Sequence, residues 1–211
     1  MFTGIVQGYR EVLAIEDATD LRRLQLDLTG LVDQLEPGAS VAVNGACLTA
    51  TTIAAGHVWF DVIRQTLDTT TLGQLEVGQR VNVERSFKVG DEVGGHIVSG
   101  HIATKVPLHR IEQSDNLRKL WFSVPPEWLR YLLLKGFVAV DGASLTISDL
   151  DAAGGTFAVS LIPETIERTN LGRIEVGEDV NLEVESQTQG VITTVERLLE
   201  DPEWRARFLQ D

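Results

Sequence analysis

The chain repeats itself. Residues 40–49, SVAVNGACLT, align with residues 137–146, FVAVDGASLT, and residues 66–84, TLDTTTLGQLEVGQRVNVE, align with 165–183, TIERTNLGRIEVGEDVNLE. The offsets are 97 and 99, so order and spacing hold to within two residues. A fainter match at offset 96 pairs Phe2-Thr3-Gly4-Ile5-Val6 with Val98-Ser99-Gly100-His101-Ile102. That period is too long for a solenoid unit and predicts two tandem copies of one small domain. The glycine-rich stretch KVGDEVGGHI (88–97) is the expected boundary, dividing the chain into 1–96, 97–186 and a tail, 187–211.

Each copy reads as short strands separated by turns. Asn44-Gly45 and Asp141-Gly142 follow runs of small or β-branched residues and supply the positive φ angles of tight hairpins. RVNVE and DVNLE alternate with period two, and HVWFDVI and TFAVSLI are rich in β formers. Two weaker stretches, LTGLVDQLEPG (28–38) and PPEWLRYLLLKG (125–136), read as helical and stop at glycine. The expected fold is all-β: two tandem six-stranded Greek-key barrels and a C-terminal α-helix. In the tail, Val191, Val195 and Leu198, widened by Ile192 and Leu199, form a helical stripe over 188–199. Packing on its own barrel and contact with another subunit suit that stripe equally. Asp201-Pro202 then resembles an N-cap and N1 pair opening a short helix to Phe208.

Charge and cysteine content narrow the function. The chain holds 31 acidic and 18 basic residues, and the net of −13 is spread over both copies, so a nucleic-acid partner is disfavoured. The N-terminus has no basic flank or apolar core of a signal peptide, and no apolar run approaches the roughly 18 residues of a membrane span. One cysteine, Cys47, suits a reducing compartment, and a cytoplasmic location is expected. On a strand, His96 and His101 would point to opposite faces, His57 and His109 have no partner at ligand spacing, and Cys-x-x-Cys is absent, so no metal is expected. Neither G-x-G-x-x-G before a helix nor G-x-S-x-G occurs, and on spacing alone the histidines read as structural. The copies differ where they mirror each other: Cys47 against Ser144, Ile5 against His101. Such divergence suits two related pockets of unequal role.

Six segments in order, MFTGIVQG, NGACLT, VGGHIVSGHI, KGFVAVDGASLT, LIPETIERTNLG and VESQTQGVITTVERLL, resemble the riboflavin synthase family of the α-chain type, from Met1 to about Leu199. The resemblance implies a dismutation of two 6,7-dimethyl-8-ribityllumazine molecules. A four-carbon unit moves between them to give riboflavin and 5-amino-6-ribitylamino-pyrimidinedione, with no cofactor. It also implies one lumazine per barrel and a homotrimer held by the C-terminal helix. The active site would lie between the N-terminal barrel of one subunit and the C-terminal barrel of the next. Some relatives dock in a lumazine-synthase shell. The second class to weigh is a non-catalytic lumazine- or flavin-binding fluorescent protein of the lumazine-protein type. Such relatives tend to lose second-barrel pocket residues and the terminal helix, both present here.

Carried over residue by residue, the first pocket would use Gly4, Ile5, Val6, Cys47, Leu48, Thr49, Asp61, Val62, Ile63, Arg64, Gln65 and Thr66. The second would use Gly100, His101, Ile102, Lys135, Ser144, Leu145, Thr146, Leu161, Ile162, Pro163, Glu164, Thr165 and Ile166. The resemblance gives catalysis to His101 as base or proton shuttle with Ser144 and Thr146, alongside Cys47 and Glu185. It sets Phe2 and Ser40 near the mouth of the first pocket, at positions the family links to catalysis. Glu185 stands where the family often has Asp, and Gln65 where it often has Glu.

Overall fold

A computed structural model describes residues 1–114, 117–202, 204 and 205. The first copy comprises β1 (Gly8–Ala18), β2 (Leu21–Asp27), β3 (Ser40–Val43), β4 (Ala46–Ala54), β5 (His57–Ile63) and β6 (Arg80–Arg85). They close into an antiparallel barrel in the order β1-β2-β5-β4-β3-β6. In the second copy β7 (Thr104–Ser114), β8 (Leu117–Ser123), β9 (Phe137–Val140), β10 (Ala143–Asp151), β11 (Thr156–Leu161) and β12 (Asp179–Val184) have the same neighbours. Alternate residues turn inward, so Leu24, Leu26, Phe60 and Val81 fill one barrel while Leu120, Phe122, Phe157 and Val180 fill the other. The register slips at matched places, Val12/Ala14 and Ala50/Thr52 in one barrel, Leu108/Arg110 and Ile147/Asp149 in the other. Such bulges bend strands enough to close so small a barrel. The expected hairpin turns form, with φ of 43° and 81° at Asn44-Gly45 and 44° and 80° at Asp141-Gly142.

The helical expectations need correction. Residues 28–38 form turns, not a helix, because Gly30, Gln34 and Gly38 take φ of 83°, 54° and 93° while Leu28 and Leu35 anchor the loop to the first core. The second stretch yields only one turn, α2 (Pro126–Leu129). The helices that the barrels do carry are α1 (Arg64–Thr69) and α3 (Pro163–Arg168), each followed by a 3-10 turn capped by Thr70 or Thr169, whose hydroxyl accepts the Leu72 or Leu171 N–H. Six residues are too few to show a 3.6-residue period.

The tail forms α4 (Ser186–Glu200), and only part of its stripe packs on its own barrel. Ile192 packs on the second barrel, while Val191, Val195 and Leu199 stay exposed. The Trp204 N–H donates to Asp201 Oδ1 at 3.3 Å, as the N-cap reading requires; the end of that short helix, to Phe208, lies outside the described residues.

The barrels meet along a pseudo-two-fold seam. Gly45 and Gly142 touch there with bare backbone, since a Cβ on Gly45 would lie 2.7 Å from the Gly142 nitrogen. Around them Asn82 Nδ2 donates to the Asp141 carbonyl at 2.9 Å and Asn181 Nδ2 to the Asn44 carbonyl at 2.8 Å. The symmetry is chemically broken at Asp141, which stands opposite Asn44. Burial drives its carboxyl up from 3.8 to about 7, although Asn181 and Asn170 donate to it. A carboxyl raised in the folded state stabilises fully below its unfolded value and loses that contribution as pH rises through the folded value. The stability gained by Asp141→Asn relative to wild type should therefore grow between about pH 4 and pH 7, at roughly 1.4 kcal/mol per pH unit as an upper bound. Urea unfolding across that range checks this, and a pH-independent difference contradicts it.

Candidate functional site

Two glycine-bearing segments cross at the seam. Phe2 and Val98 pair as an antiparallel bridge, with N–H to carbonyl distances of 2.8 and 3.0 Å. Each segment then runs onto the other copy's barrel. The Gly4 carbonyl accepts the Ser144 N–H at 2.8 Å on β10, and the Gly100 carbonyl accepts the Cys47 N–H at 2.9 Å on β4. Glycine is required at both positions: φ is 74° at Gly4 and 83° at Gly100, and a Cβ would fall 2.4 Å from Ser144 Cβ or 2.5 Å from Cys47 Cβ.

The grouping expected from sequence is thus exchanged. Gly4, Ile5 and Val6 serve the second barrel, whose core Val6 joins, while Gly100, His101 and Ile102 serve the first, against which Ile102 packs. A match between copies does not reveal whether a segment packs on its own copy or on the other.

Buried carboxylates hold the segments. Glu84 on β6 accepts the Thr3 N–H at 2.6 Å, the Thr3 hydroxyl at 2.8 Å and the Gly4 N–H at 3.0 Å. Glu183 on β12 accepts the Ser99 N–H at 2.7 Å, the Ser99 hydroxyl at 2.6 Å and the Gly100 N–H at 3.0 Å. Burial raises both carboxyl pKa values, and these bonds oppose that rise.

The two barrel ends carry different chemistry. At the first, Cys47 is half-buried, Leu48 and Val62 are buried, and Thr49, Asp61, Ile63, Arg64 and Gln65 are exposed. Ser40 sits across the β3–β4 ladder from Thr49. At the second, Leu145 and Leu161 are buried, while Thr146, Ile162, Pro163, Glu164 and Lys135 face solvent. His96, read as structural from its spacing, lies with its Nδ1 2.6 Å from Ser144 Oγ. Its ring stacks on Phe137 at 5.1 Å and 14°. Burial lowers the His96 pKa, with the charge of Glu185 opposing. Burial thus favours the uncharged ring, and no regularity of sequence announces the pair. Burial alone would raise the Glu185 carboxyl, but N–H and hydroxyl donors from Thr188 and the Gln187 N–H outweigh it and keep it ionised as the N-cap of α4.

Two expected placements change. Phe2 is fully buried among Ala42, Val98, Ala139 and Cys47, so it positions the crossing rather than lining a mouth. His101 is exposed and lies near Glu183, and no hydrogen bond among the described residues joins it to Ser144 or Thr146. Among the described residues there is no cluster of three His, Cys, Asp or Glu that fits a metal.

The lumazine binding domain family matches residues 3–86 and 99–185. The chain is 48% identical over 201 residues to riboflavin synthase of Escherichia coli strain K12, covering 94% of this chain and 93% of that protein. It is 41% identical over 200 residues to the riboflavin synthase of Chlamydia pneumoniae, covering 94% and 97%. Among solved structures, LumP complexed with riboflavin superposes with a TM-score of 0.80 at 29% identity, covering 88% of this chain and 100% of LumP. LumP complexed with 6,7-dimethyl-8-(1'-D-ribityl) lumazine gives 0.79 at 27% identity, covering 88% and 99%.

The exchange makes a directional prediction. Glu183→Ala strands three donors and should raise amide hydrogen exchange at Cys47, in the other barrel, by about tenfold or more, consistent with ~1–3 kcal/mol per buried group left unpaired. Ser144 should be unaffected. Equal acceleration at both amides would contradict the exchanged pairing.

Proposed function

The chain belongs to the riboflavin synthase family, and from that premise we propose how its two pockets divide the reaction. The enzyme converts two 6,7-dimethyl-8-ribityllumazine molecules into riboflavin and 5-amino-6-ribitylamino-pyrimidinedione. The observation that carries the division of labour is the symmetric exchange: each barrel end is completed by a glycine segment tethered to the other barrel. One lumazine at each end, read by backbone groups and held through its ribityl chain by hydroxyls and carboxylates, accounts for the two substrate molecules.

The chemistry needs a proton removed from the C7 methyl of one lumazine and a nucleophile added at C7 of the other. Stacking the two rings in reactive contact supplies most of the acceleration. The first pocket contributes Cys47, Thr49 and His101, the second Ser144, Thr146 and His96. His101 and the Ser144–Thr146 hydroxyls belong to opposite ends, so we infer that they meet between subunits. The exposed apolar residues of α4, Val191, Val195 and Leu199, suit the homotrimeric contact that would join them. Phe2 and Glu185 are positioning residues in this account: one packs the crossing, the other caps α4 beside His96. Ser40 backs Thr49. Gln65 leaves its pocket one negative charge short of the family's usual pattern. No helix among the described residues is long and apolar enough to cross a membrane, and the lone free thiol suits the cytosol in which we place the reaction.

A lumazine-binding antenna is the second reading, favoured by the LumP likeness. The higher identity to the synthases and the presence of α4 favour the enzyme. Stoichiometry separates them: two ligands per chain with riboflavin accumulating fits the enzyme, whereas one tightly held ligand and no product fits the antenna.

His101→Ala should lower kcat by about 10²-fold or more, the usual range for a positioned acid or base, in steady-state riboflavin formation. An unchanged kcat would remove His101 from the mechanism. Val191→Asp with Val195→Asp should give monomers by light scattering that bind lumazine yet do not turn over. A fully active monomer would contradict the intersubunit site.

A further inference from the structure

The helices α1 and α3, which carry residues of the two pockets, are each tied to an asparagine of the opposite barrel. In the first copy the Thr70 hydroxyl donates to the Thr66 carbonyl at 2.6 Å and accepts the Leu72 N–H at 3.3 Å. The next amide leaves the copy: the Thr71 N–H donates to Asn181 Oδ1 on β12 at 2.8 Å. The second copy repeats the pattern. Its Thr169 hydroxyl donates to the Thr165 carbonyl at 2.7 Å and accepts the Leu171 N–H at 3.2 Å. The Asn170 N–H then donates to Asn82 Oδ1 on β6 at 2.9 Å. Two hydrogen bonds and one peptide link thus separate each asparagine from Thr66 or Thr165.

The opposite barrel holds the start of each 3-10 turn, where it joins its helix. Arg22 and Arg118, from the copies' own barrels, grip carbonyls further along, Gly73 at 2.9 Å and Ile174 at 2.7 Å. Turn and helix lie in direct contact, because a Cβ on Gly73 or Gly172 would collide with the carbonyl oxygen of Leu67 or Ile166. A shift at the first residue of the turn is therefore passed to the helix before it. Asn82 and Asn181 are 1% and 0% exposed within β6 and β12, where a leucine would fill the same space. Only their bonds call for an amide. Both ends of each amide are used: Asn82 Nδ2 donates to the Asp141 carbonyl and Asn170 Oδ1, and Asn181 Nδ2 donates to the Asn44 carbonyl.

We propose that Asn82 and Asn181 are positioning residues for the reaction, each setting the pocket helix of the other copy. Asn181 fixes α1 and so places residues 64–66 of the first pocket. Asn82 fixes α3 and so places residues 163–166 of the second. Their role rests on the assignment of those residues to the lumazine pockets. Two stacked rings tolerate little misplacement, so a helix released at one end is read as lost ligand affinity at that pocket.

Hydrogen exchange of the full chain titrated with riboflavin reads the two pockets separately, as protection gained at residues 64–69 and at 163–168. Both stretches should gain it in the wild-type chain; protection at neither would overturn the pocket assignment and the asparagines' role together. Asn181→Leu should raise the riboflavin midpoint for 64–69 about tenfold, in keeping with one buried N–H left unpaired, and leave that for 163–168 within twofold. Asn82→Leu should do the reverse. Should one variant fail to fold, the other makes the same crosswise prediction alone. Thr70→Val interrupts the first path nearer its end. Combined with Asn181→Leu it should cost less than the sum of the two single effects, whereas Thr169→Val with Asn181→Leu should add. With the pocket assignment intact, three results would overturn the proposal: shifts confined to the asparagine's own barrel, equal shifts at both helices, or midpoints unmoved in the folded variants.

Discussion

Two buried glutamates organise this molecule. Glu84 and Glu183 each gather three donors from a segment that then crosses to the opposite barrel. A carboxylate at such depth is tolerated only when its oxygens are satisfied, so the segment and the glutamate stabilise each other. The crossing follows. Phe2 and Val98 pair at the seam, Gly4 and Gly100 fit where no side chain would, and each barrel end receives backbone from its twin. The exchange binds two marginally sized barrels into one unit, each barrel end drawing backbone from both copies.

Against that shared frame, the copies differ at chemically distinct side chains. Cys47 faces Gly100 where Ser144 faces Gly4, and only Ser144 has a histidine on its hydroxyl. His101 stands where the first segment has Ile5. The seam repeats the theme, with Asp141 opposite Asn44 and Asn170 opposite Thr71; the Asn170 amide bonds at both ends, whereas the Thr71 hydroxyl has no partner. A symmetric scaffold with asymmetric side chains suits a reaction in which two identical molecules take opposite parts.

Much of the fold was legible in the residues. Period-two alternation, the Asn-Gly and Asp-Gly turns and the repeat foretold two barrels, because those signals are local. The short helices α1 and α3 were not, since each spans under two turns, and residues 28–38 imitated a helix because Leu28 and Leu35 are spaced as one face would be. For the site, the resemblance named the residues and grouped Gly4–Val6 with the first barrel and Gly100–Ile102 with the second, a grouping the backbone bonds exchange. Which barrel receives Gly4, and that His96 reaches Ser144, depend on contacts between residues 140 and 48 positions apart in the chain. No local pattern encodes contacts so distant.

The central claim is that each pocket is completed by the other copy's segment. A crystal structure with a ribityllumazine analogue bound tests it most directly. The account predicts one ligand against Cys47 with Gly100–Ile102 and another against Ser144 with Gly4–Val6, in every chain. A ligand touching Cys47 together with Gly4–Val6 would contradict it.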